Sequence, residues 1–156
     1  MIIKSYEINK INTKKTPYIL LYGKNERLKK ETTDNLLKAK NNILNYEEKE
    51  ILDNSSFFLE NLLSKSLFET EKIIIVKRST DKIFKIVNEI IDKKIEDLVF
   101  IVNADILEKR SKLRSFFEKD KKCVCVPFYP DNEQTLSRMA LNFIKEKNIS
   151  LSQSNL

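Results

Sequence analysis

Short, mostly apolar segments that alternate with helix-like segments restrict the fold of this chain more than any other feature. Five segments predict strands, at residues 18–22, 43–46, 72–76, 98–102 and 123–126. The run Ile73-Ile74-Ile75-Val76 contains no polar position, which is typical of a strand buried on both faces of a parallel sheet. The sequence therefore indicates an α/β fold rather than an all-α or all-β fold.

The segments between these strands predict helices. They cover residues 26–40, 53–65, 81–93, 111–119 and 132–147. The third helix has the clearest 3.6-residue repeat of apolar side chains, at Ile83, Ile86, Val87, Ile90 and Ile91. Strands that alternate with helices form right-handed crossovers. We therefore expect a five-stranded, mainly parallel sheet with helices on both faces.

Composition and termini exclude several classes of protein. No run approaches about 18 apolar residues, the length of a membrane-spanning helix, and residues 1–7 lack the pattern of a signal peptide. We therefore expect a cytoplasmic protein with no membrane partner. The formal net charge of +6 admits a nucleic-acid partner. An excess of lysine from AT-rich codons also explains that charge.

The two cysteines predict core packing rather than chemistry. Cys123 and Cys125 are two residues apart in a predicted strand, so their side chains share one face. A zinc site needs about four ligands, and the chain contains no histidine. We therefore expect two buried, reduced thiols, no metal site and no cofactor.

The first strand is followed by an incomplete phosphate-binding loop. In the pattern Gly-x4-Gly-Lys-Ser/Thr, Gly23 and Lys29 match. Leu28 replaces the second glycine, and Lys30 replaces the hydroxyl that binds magnesium. The strand at residues 72–76 leads into Lys77-Arg78, where an ATPase needs acidic side chains. We predict a nucleotide-binding scaffold without catalytic residues, in which these four positions do not function.

An adjacent apolar pair lies in a polar connection between the second helix and the third strand. Leu67 and Phe68 stand between Ser64-Lys65-Ser66 and Glu69-Thr70-Glu71. This connection lies at the amino edge of the predicted sheet, away from the usual ligand crevice. The pair has the character of a protein-binding anchor. Leu67 also follows Leu63 by four residues, so a simple extension of the apolar helix face remains an alternative.

These segments, in this order and spacing, resemble the delta subunit of the bacterial DNA polymerase III clamp loader. The resemblance covers Ser66-Leu67-Phe68 with the strand after it, residues 18–23 with their altered phosphate loop, and residues 107–113. It implies a domain like the AAA+ ATPases with a degenerate nucleotide site. It divides the chain into residues 1–129, the clamp-binding α/β domain, and residues 130–156, the start of a truncated helical lid domain.

The resemblance also implies a role in DNA replication. Leu67 and Phe68 would enter an apolar pocket of the beta sliding clamp, and the subunit would open the ring without hydrolysing ATP. Its partners would be the clamp, the tau/gamma and delta-prime subunits, and DNA within the assembled complex. The chain would have no catalysis of its own and would count as a nucleotidyltransferase only by membership of the polymerase. The resemblance is weak over residues 1–16, which stay unassigned.

Three other interpretations compete with this one. A delta-prime subunit usually carries a cysteine-rich zinc module, which two cysteines and no histidine cannot build. A P-loop-like phosphotransferase or ATPase with an unusual loop would bind and turn over nucleotide. A receiver-like signalling domain also has five strands, but it needs an acidic cluster where this chain has Gly23-Lys24 and Lys77-Arg78.

Overall fold

The computed structural model describes residues 1–38, 40–64 and 71–130, together with residues 136–137, 140–141, 143–144 and 147. Leu67, Phe68 and most of the helix predicted over residues 132–147 lie outside the described residues. The proposed division into residues 1–129 and 130–156 therefore stays a prediction. No helix within the described ranges is both long enough and apolar enough to cross a bilayer.

A single sheet of five strands forms the centre of the molecule, and every strand pair in it is parallel. The order across the sheet is β2-β3-β4-β1-β5. This confirms the predicted α/β fold. A receiver-like domain has the order 2-1-3-4-5, so the topology excludes that alternative. The strands are β1 Tyr18–Tyr22, β2 Ile43–Glu47, β3 Lys72–Ser79, β4 Leu98–Ala104 and β5 Cys123–Pro127.

Helices cover both faces, because side chains alternate across each central strand. Tyr18, Leu20 and Tyr22 belong to one apolar cluster, whereas Ile19 and Leu21 belong to the other. The first cluster packs beneath α2, α3, α4 and α5, and the second beneath α1 and the N-terminal segment. The helices are α1 Glu26–Leu36, α2 Glu48–Asp53, α3 Ser55–Leu63, α4 Phe84–Asp92 and α5 Lys112–Lys119.

The N-terminal segment, which the sequence analysis left unassigned, is part of the core. Ile2 forms a parallel bridge with Cys125 beside the edge strand β5. A 3-10 helix then runs over Ser5–Lys10. Ile3 and Ile8 are buried against the same face as α1. This segment therefore extends the sheet by one bridge and covers part of one face.

Several predicted boundaries are wrong by a few residues. α1 ends at Leu36 rather than at residue 40, and Leu37, which caps it, donates its N–H to the Thr33 carbonyl. A short helix, α2, follows β2 directly and was not predicted. It starts with a capping box between Glu47 and Glu50. Because all four residues from 47 to 50 are charged, this capping pattern was not recognised in the sequence.

The carboxyl end of β3 is irregular where the predicted strand should have stopped. The register with β4 shifts between Val76 and Ser79. Arg78 has a φ of 52°, in the left-handed region that side chains other than glycine rarely adopt. β3 and β4 both run beyond their predicted ends, to Ser79 and Ala104. The bulge at Lys77-Arg78 therefore changes the direction of the backbone. It lies at the edge of the sheet where α/β folds usually bind ligands.

Candidate functional site

The sheet edge that would hold a phosphate is closed at Gly23. Gly23 has a φ of 125°, and its N–H donates to the Asp105 carbonyl at 3.0 Å. A Cβ at this position would lie 2.0 Å from the backbone oxygen of Phe128. The N–H of Phe128 in turn donates to the Tyr22 carbonyl at 2.7 Å. Glycine is required here because two strand ends converge on it, and no phosphate is needed to explain it.

The start of α1 uses the backbone donors that a phosphate loop would present. α1 begins at Glu26, so only Lys24 and Asn25 separate it from Gly23. The N–H of Leu28 donates to the Asn25 side chain at 3.1 Å. The N–H of Lys29 donates to the Asn25 carbonyl at 3.0 Å. An anion site at a helix start depends on free N–H groups, and these two are already bonded within the chain.

Lys29 fills the space beside the loop with its own ammonium group. Its side chain is fully buried, with 0% exposure. Nζ donates to the Ala104 carbonyl at the end of β4, at 2.7 Å. Nζ also lies 2.5 Å from Oε1 of Glu26. A buried charge is tolerated only when it is paired and hydrogen-bonded, so Lys29 ties α1 to β4. The sequence predicted a lysine that does not function in nucleotide binding, but not that it is buried.

A crevice of about 830 Å³ lies beside this closed loop, at the carboxyl ends of β2, β3 and β4. Lys30, the fourth position of the altered loop, lines it and is exposed. Arg78 lies 2.9 Å from Glu47, with Nε facing Oε2. Glu47 also caps α2. Of the charged side chains that line the crevice, Arg78 thus pairs with Glu47, and Glu26 pairs with the buried Lys29.

The two cysteines lie where the strand pattern placed them. Cys123 and Cys125 are both free and buried on the same face of β5. Burial raises the pKa of the Cys125 thiol to about 12, and burial likewise raises the pKa of the Cys123 thiol. A thiol is nucleophilic only as thiolate. The predicted burial of both thiols on one face of a strand is confirmed.

A polar connection between the residue just before α4 and the start of α5 was missed from the sequence. Asp81, just before α4, accepts from Ser111 Oγ at 2.6 Å and from the N–H of Leu113 at 3.0 Å. Ser111 itself caps α5 by accepting from the Arg114 N–H at 3.1 Å. Burial acts to raise the pKa of Asp81, but the hydrogen bonds from Ser111 and the α5 backbone outweigh it and lower that pKa. Ser111 at a helix start was visible in the sequence, whereas its distant partner was not.

The residues on either side of the predicted anchor lie at the amino edge of the sheet. α3 ends at Leu63, and Lys72 Nζ donates to the carbonyls of Asn61 and Ser64, at 3.1 and 2.7 Å. This ties the end of α3 to the start of β3. A cavity of about 300 Å³ opens beside it, with Leu62, Leu63, Ile95 and Leu98 among its lining residues. The structure thus describes both flanks of residues 65–70, and the roles of Leu67 and Phe68 stay predictions.

Fold and site together define a class: an α/β domain with a five-stranded parallel sheet, in which the loop after β1 is occupied by contacts within the chain. The chain is similar in fold to the DNA clamp loader delta protein of Bacillus subtilis, with a TM-score of 0.68 and 17% sequence identity. The match covers 92% of this chain and 48% of that chain, so the sequence spans about half the length of that protein. No protein-family model matches the chain, and no curated protein matches it in sequence.

Proposed function

We propose that this chain is the clamp-binding part of a clamp-loader delta subunit, which binds and opens the beta sliding clamp during DNA replication. The observation that carries the proposal is the likeness in fold to a DNA clamp loader delta protein over 92% of the chain. Its partners are the beta sliding clamp, the tau/gamma and delta-prime subunits, and DNA within the assembled DNA polymerase III complex.

The closed phosphate loop supports a subunit without catalysis of its own. Lys29 is tied to Ala104 and Glu26, and Gly23 is packed against Phe128. In these arrangements, the loop after β1 has no site for a nucleoside triphosphate among the described residues. These contacts favour a non-catalytic subunit over the phosphotransferase alternative, because phosphoryl transfer depends on positioned phosphates and metal ions.

Leu67 and Phe68 are the proposed clamp anchor. They belong to the connection between Ser64, at the end of α3, and Glu71, just before β3. A protein interface draws much of its free energy from a few large apolar side chains that enter pockets of the partner. Opening of a ring requires that the subunit bind the open or strained clamp better than the closed one. We therefore expect this pair to dominate affinity for the clamp.

The test is binding of the 156-residue chain to the cognate sliding clamp, measured by surface plasmon resonance. The variant Leu67→Ser/Phe68→Ser should lose roughly 2–4 kcal/mol of binding free energy, about 30- to 1,000-fold in Kd. The matched control is Ile43→Ser/Leu44→Ser, an adjacent apolar pair that is exposed on the edge strand β2. Circular dichroism verifies that all three proteins are folded.

The outcomes separate the partner from the site. Binding by the parent and the control, but not by the Leu67/Phe68 variant, supports both. Equal binding by all three keeps the partner and rejects the anchor. Absence of binding by the folded parent chain rejects the proposed function.

A further inference from the structure

A groove between α4 and α5 combines aromatic and basic side chains on the face opposite α1. It has a volume of about 580 Å³ and lies on the outside of these two helices. The hydrogen bonds from Ser111 and Leu113 to Asp81 hold the two helix starts together. The groove is therefore part of a fixed surface rather than a gap between independent helices.

Two phenylalanines line this groove and are only half-buried. The rings of Phe84 and Phe116 meet edge to face, with centroids 5.7 Å apart. Phe116 also contacts the fully buried Phe117, at 6.2 Å between centroids. The contact with Phe117 thus holds the pair on the core side, while part of each ring stays accessible from the groove. Rigid, partly open aromatic rings provide stacking surfaces for nucleic-acid bases.

Basic side chains surround the aromatic pair. Lys112 and Lys119 line the groove and are exposed. Neither ammonium forms an ion pair with a carboxylate among the described residues. Arg110 also lines the groove and pairs with Glu108 at 2.6 Å, but both side chains are mostly exposed, at 87% and 65%. Such surface pairs are weak, so a phosphate can replace Glu108.

The balance of charge around the groove is positive. Five further exposed lysines lie within three residues of groove-lining residues in the sequence: Lys82, Lys85, Lys109, Lys121 and Lys122. Four carboxylates oppose these eight basic groups, and one of the four, Glu118, is paired with Arg114. Glu108 is paired with Arg110, Asp81 accepts hydrogen bonds from the start of α5, and Asp120 lies in the groove wall and accepts from the Lys122 N–H. The groove therefore favours an anionic partner.

We propose that this α4–α5 groove binds single-stranded nucleic acid. Arg110, Lys112 and Lys119 contact backbone phosphates. Phe84 and Phe116 stack against one or two bases. An acidic peptide would satisfy the lysines but would leave the open aromatic rings without a planar partner, which is why nucleic acid is the better fit. The inference rests on the groove alone and does not require the proposed interaction with the clamp.

The test is fluorescence anisotropy of the full chain with a labelled single-stranded oligonucleotide of about 15 nucleotides, starting at about 50 mM salt. Three phosphate contacts predict a slope of about −2 in log K against log salt concentration, since single strands give about −0.7 per contact. The variant Lys112→Gln/Lys119→Gln should reduce that slope to about −0.7. The matched control Lys38→Gln/Lys49→Gln changes the same charge at two exposed lysines elsewhere and should keep most of the slope.

A second pair of variants tests the rings. Phe116→Leu and Phe84→Leu keep an apolar side chain but remove the stacking surface, and each should weaken binding roughly 5- to 150-fold. Thermal unfolding identifies a variant that fails to fold, and the other then carries the test.

The proposal is overturned by absence of binding at low salt, by equal loss in the lysine control, or by unchanged affinity in both folded phenylalanine variants. Displacement by polyglutamate as effective as by unlabelled oligonucleotide would assign the groove to an acidic protein instead. If all of these variants still bind the clamp, the α4–α5 groove and the clamp-binding surface are separate.

Discussion

Lys29 shows how one residue of a nucleotide-binding pattern can be retained with a different role. In the sequence it aligns with the lysine that contacts phosphates. In the structure its ammonium lies 2.7 Å from the Ala104 carbonyl and 2.5 Å from Glu26. The side chain thus joins α1 to the end of β4. A pattern in sequence records the residue type but not the direction of its side chain.

Replacement of Lys29 by methionine should destabilise the fold although the new side chain has a similar volume. The Ala104 carbonyl would lose its donor in a buried position, which costs about 1–3 kcal/mol. Urea unfolding followed by circular dichroism would measure the change. Lys30→Met, at the neighbouring exposed lysine, is the control and should stay within about 0.5 kcal/mol of the parent. A Lys29→Met protein as stable as the parent would mean that burial of the charge costs as much as its bonds contribute.

At the scale of the elements, α4 and α5 are joined at their starts by one carboxylate. Asp81 accepts from Ser111 Oγ, and from the N–H groups of Leu113 and Lys112 at 3.0 and 3.3 Å. A carboxylate at the first turn of a helix satisfies backbone donors and interacts favourably with the helix dipole. Asp81 therefore sets the position of α5 relative to α4, and with it the shape of the groove between them.

The Asp81→Ala variant should lose stability in a pH-dependent way. Its loss at neutral pH should be about 0.5–2 kcal/mol, the range for removal of a helix cap. Because folding lowers the pKa of Asp81, its contribution is present above the pKa of the unfolded chain, about 3.9, and disappears as pH falls through the lower pKa of the folded state. Urea unfolding at neutral pH and at successively lower pH should show parent and variant converging. Asp34→Ala, at an exposed carboxylate on α1, is the control, and an Asp81→Ala loss that stays constant with pH would contradict the assignment.

The composition and neighbours of each helix or strand explain which of their boundaries could be predicted from the sequence. β1 matched its predicted range because Tyr18–Tyr22 is apolar throughout and ends at the only glycine. β3 was predicted too short because it continues through the bulge at Lys77 and Arg78, whose charge is typical of a loop. α2 was missed because it is a single short helix directly after a strand. Local composition identifies long apolar elements and fails where tertiary pairing extends or inserts a short one.

At the scale of the whole molecule, the parallel sheet has two different edges. The carboxyl edge holds the closed loop of Gly23 and the paired charges of Arg78 and Glu47. The amino edge holds the cavity beside Leu63 and the start of the segment with the proposed anchor. The usual ligand edge of an open α/β sheet is thus occupied by the chain itself at the loop after β1, although a crevice of about 830 Å³ remains at the ends of β2, β3 and β4. The proposed interaction uses the opposite edge.

The whole chain should not gain stability from nucleotide. A ligand that binds only the folded state raises the midpoint of unfolding by mass action. We expect Mg-ATP at millimolar concentration to leave the thermal midpoint unchanged, because Lys29 already pairs within the chain and Gly23 is packed against the Phe128 backbone. Thermal unfolding with increasing Mg-ATP, with NaCl at equal ionic strength as the control, would check this. A saturable increase with ATP alone would revive the phosphotransferase alternative.

The sequence by itself determined the fold class, the strand segments and the burial of the cysteines. These follow from local patterns: apolar runs, a 3.6-residue repeat, and the two-residue spacing of Cys123 and Cys125. Only the tertiary structure decided the strand order, the burial of Lys29 against Ala104, and the bonds between Asp81 and Ser111. Those features join residues 75 and 30 positions apart. Their partners are set by packing of the whole sheet and its helices, which no local pattern records.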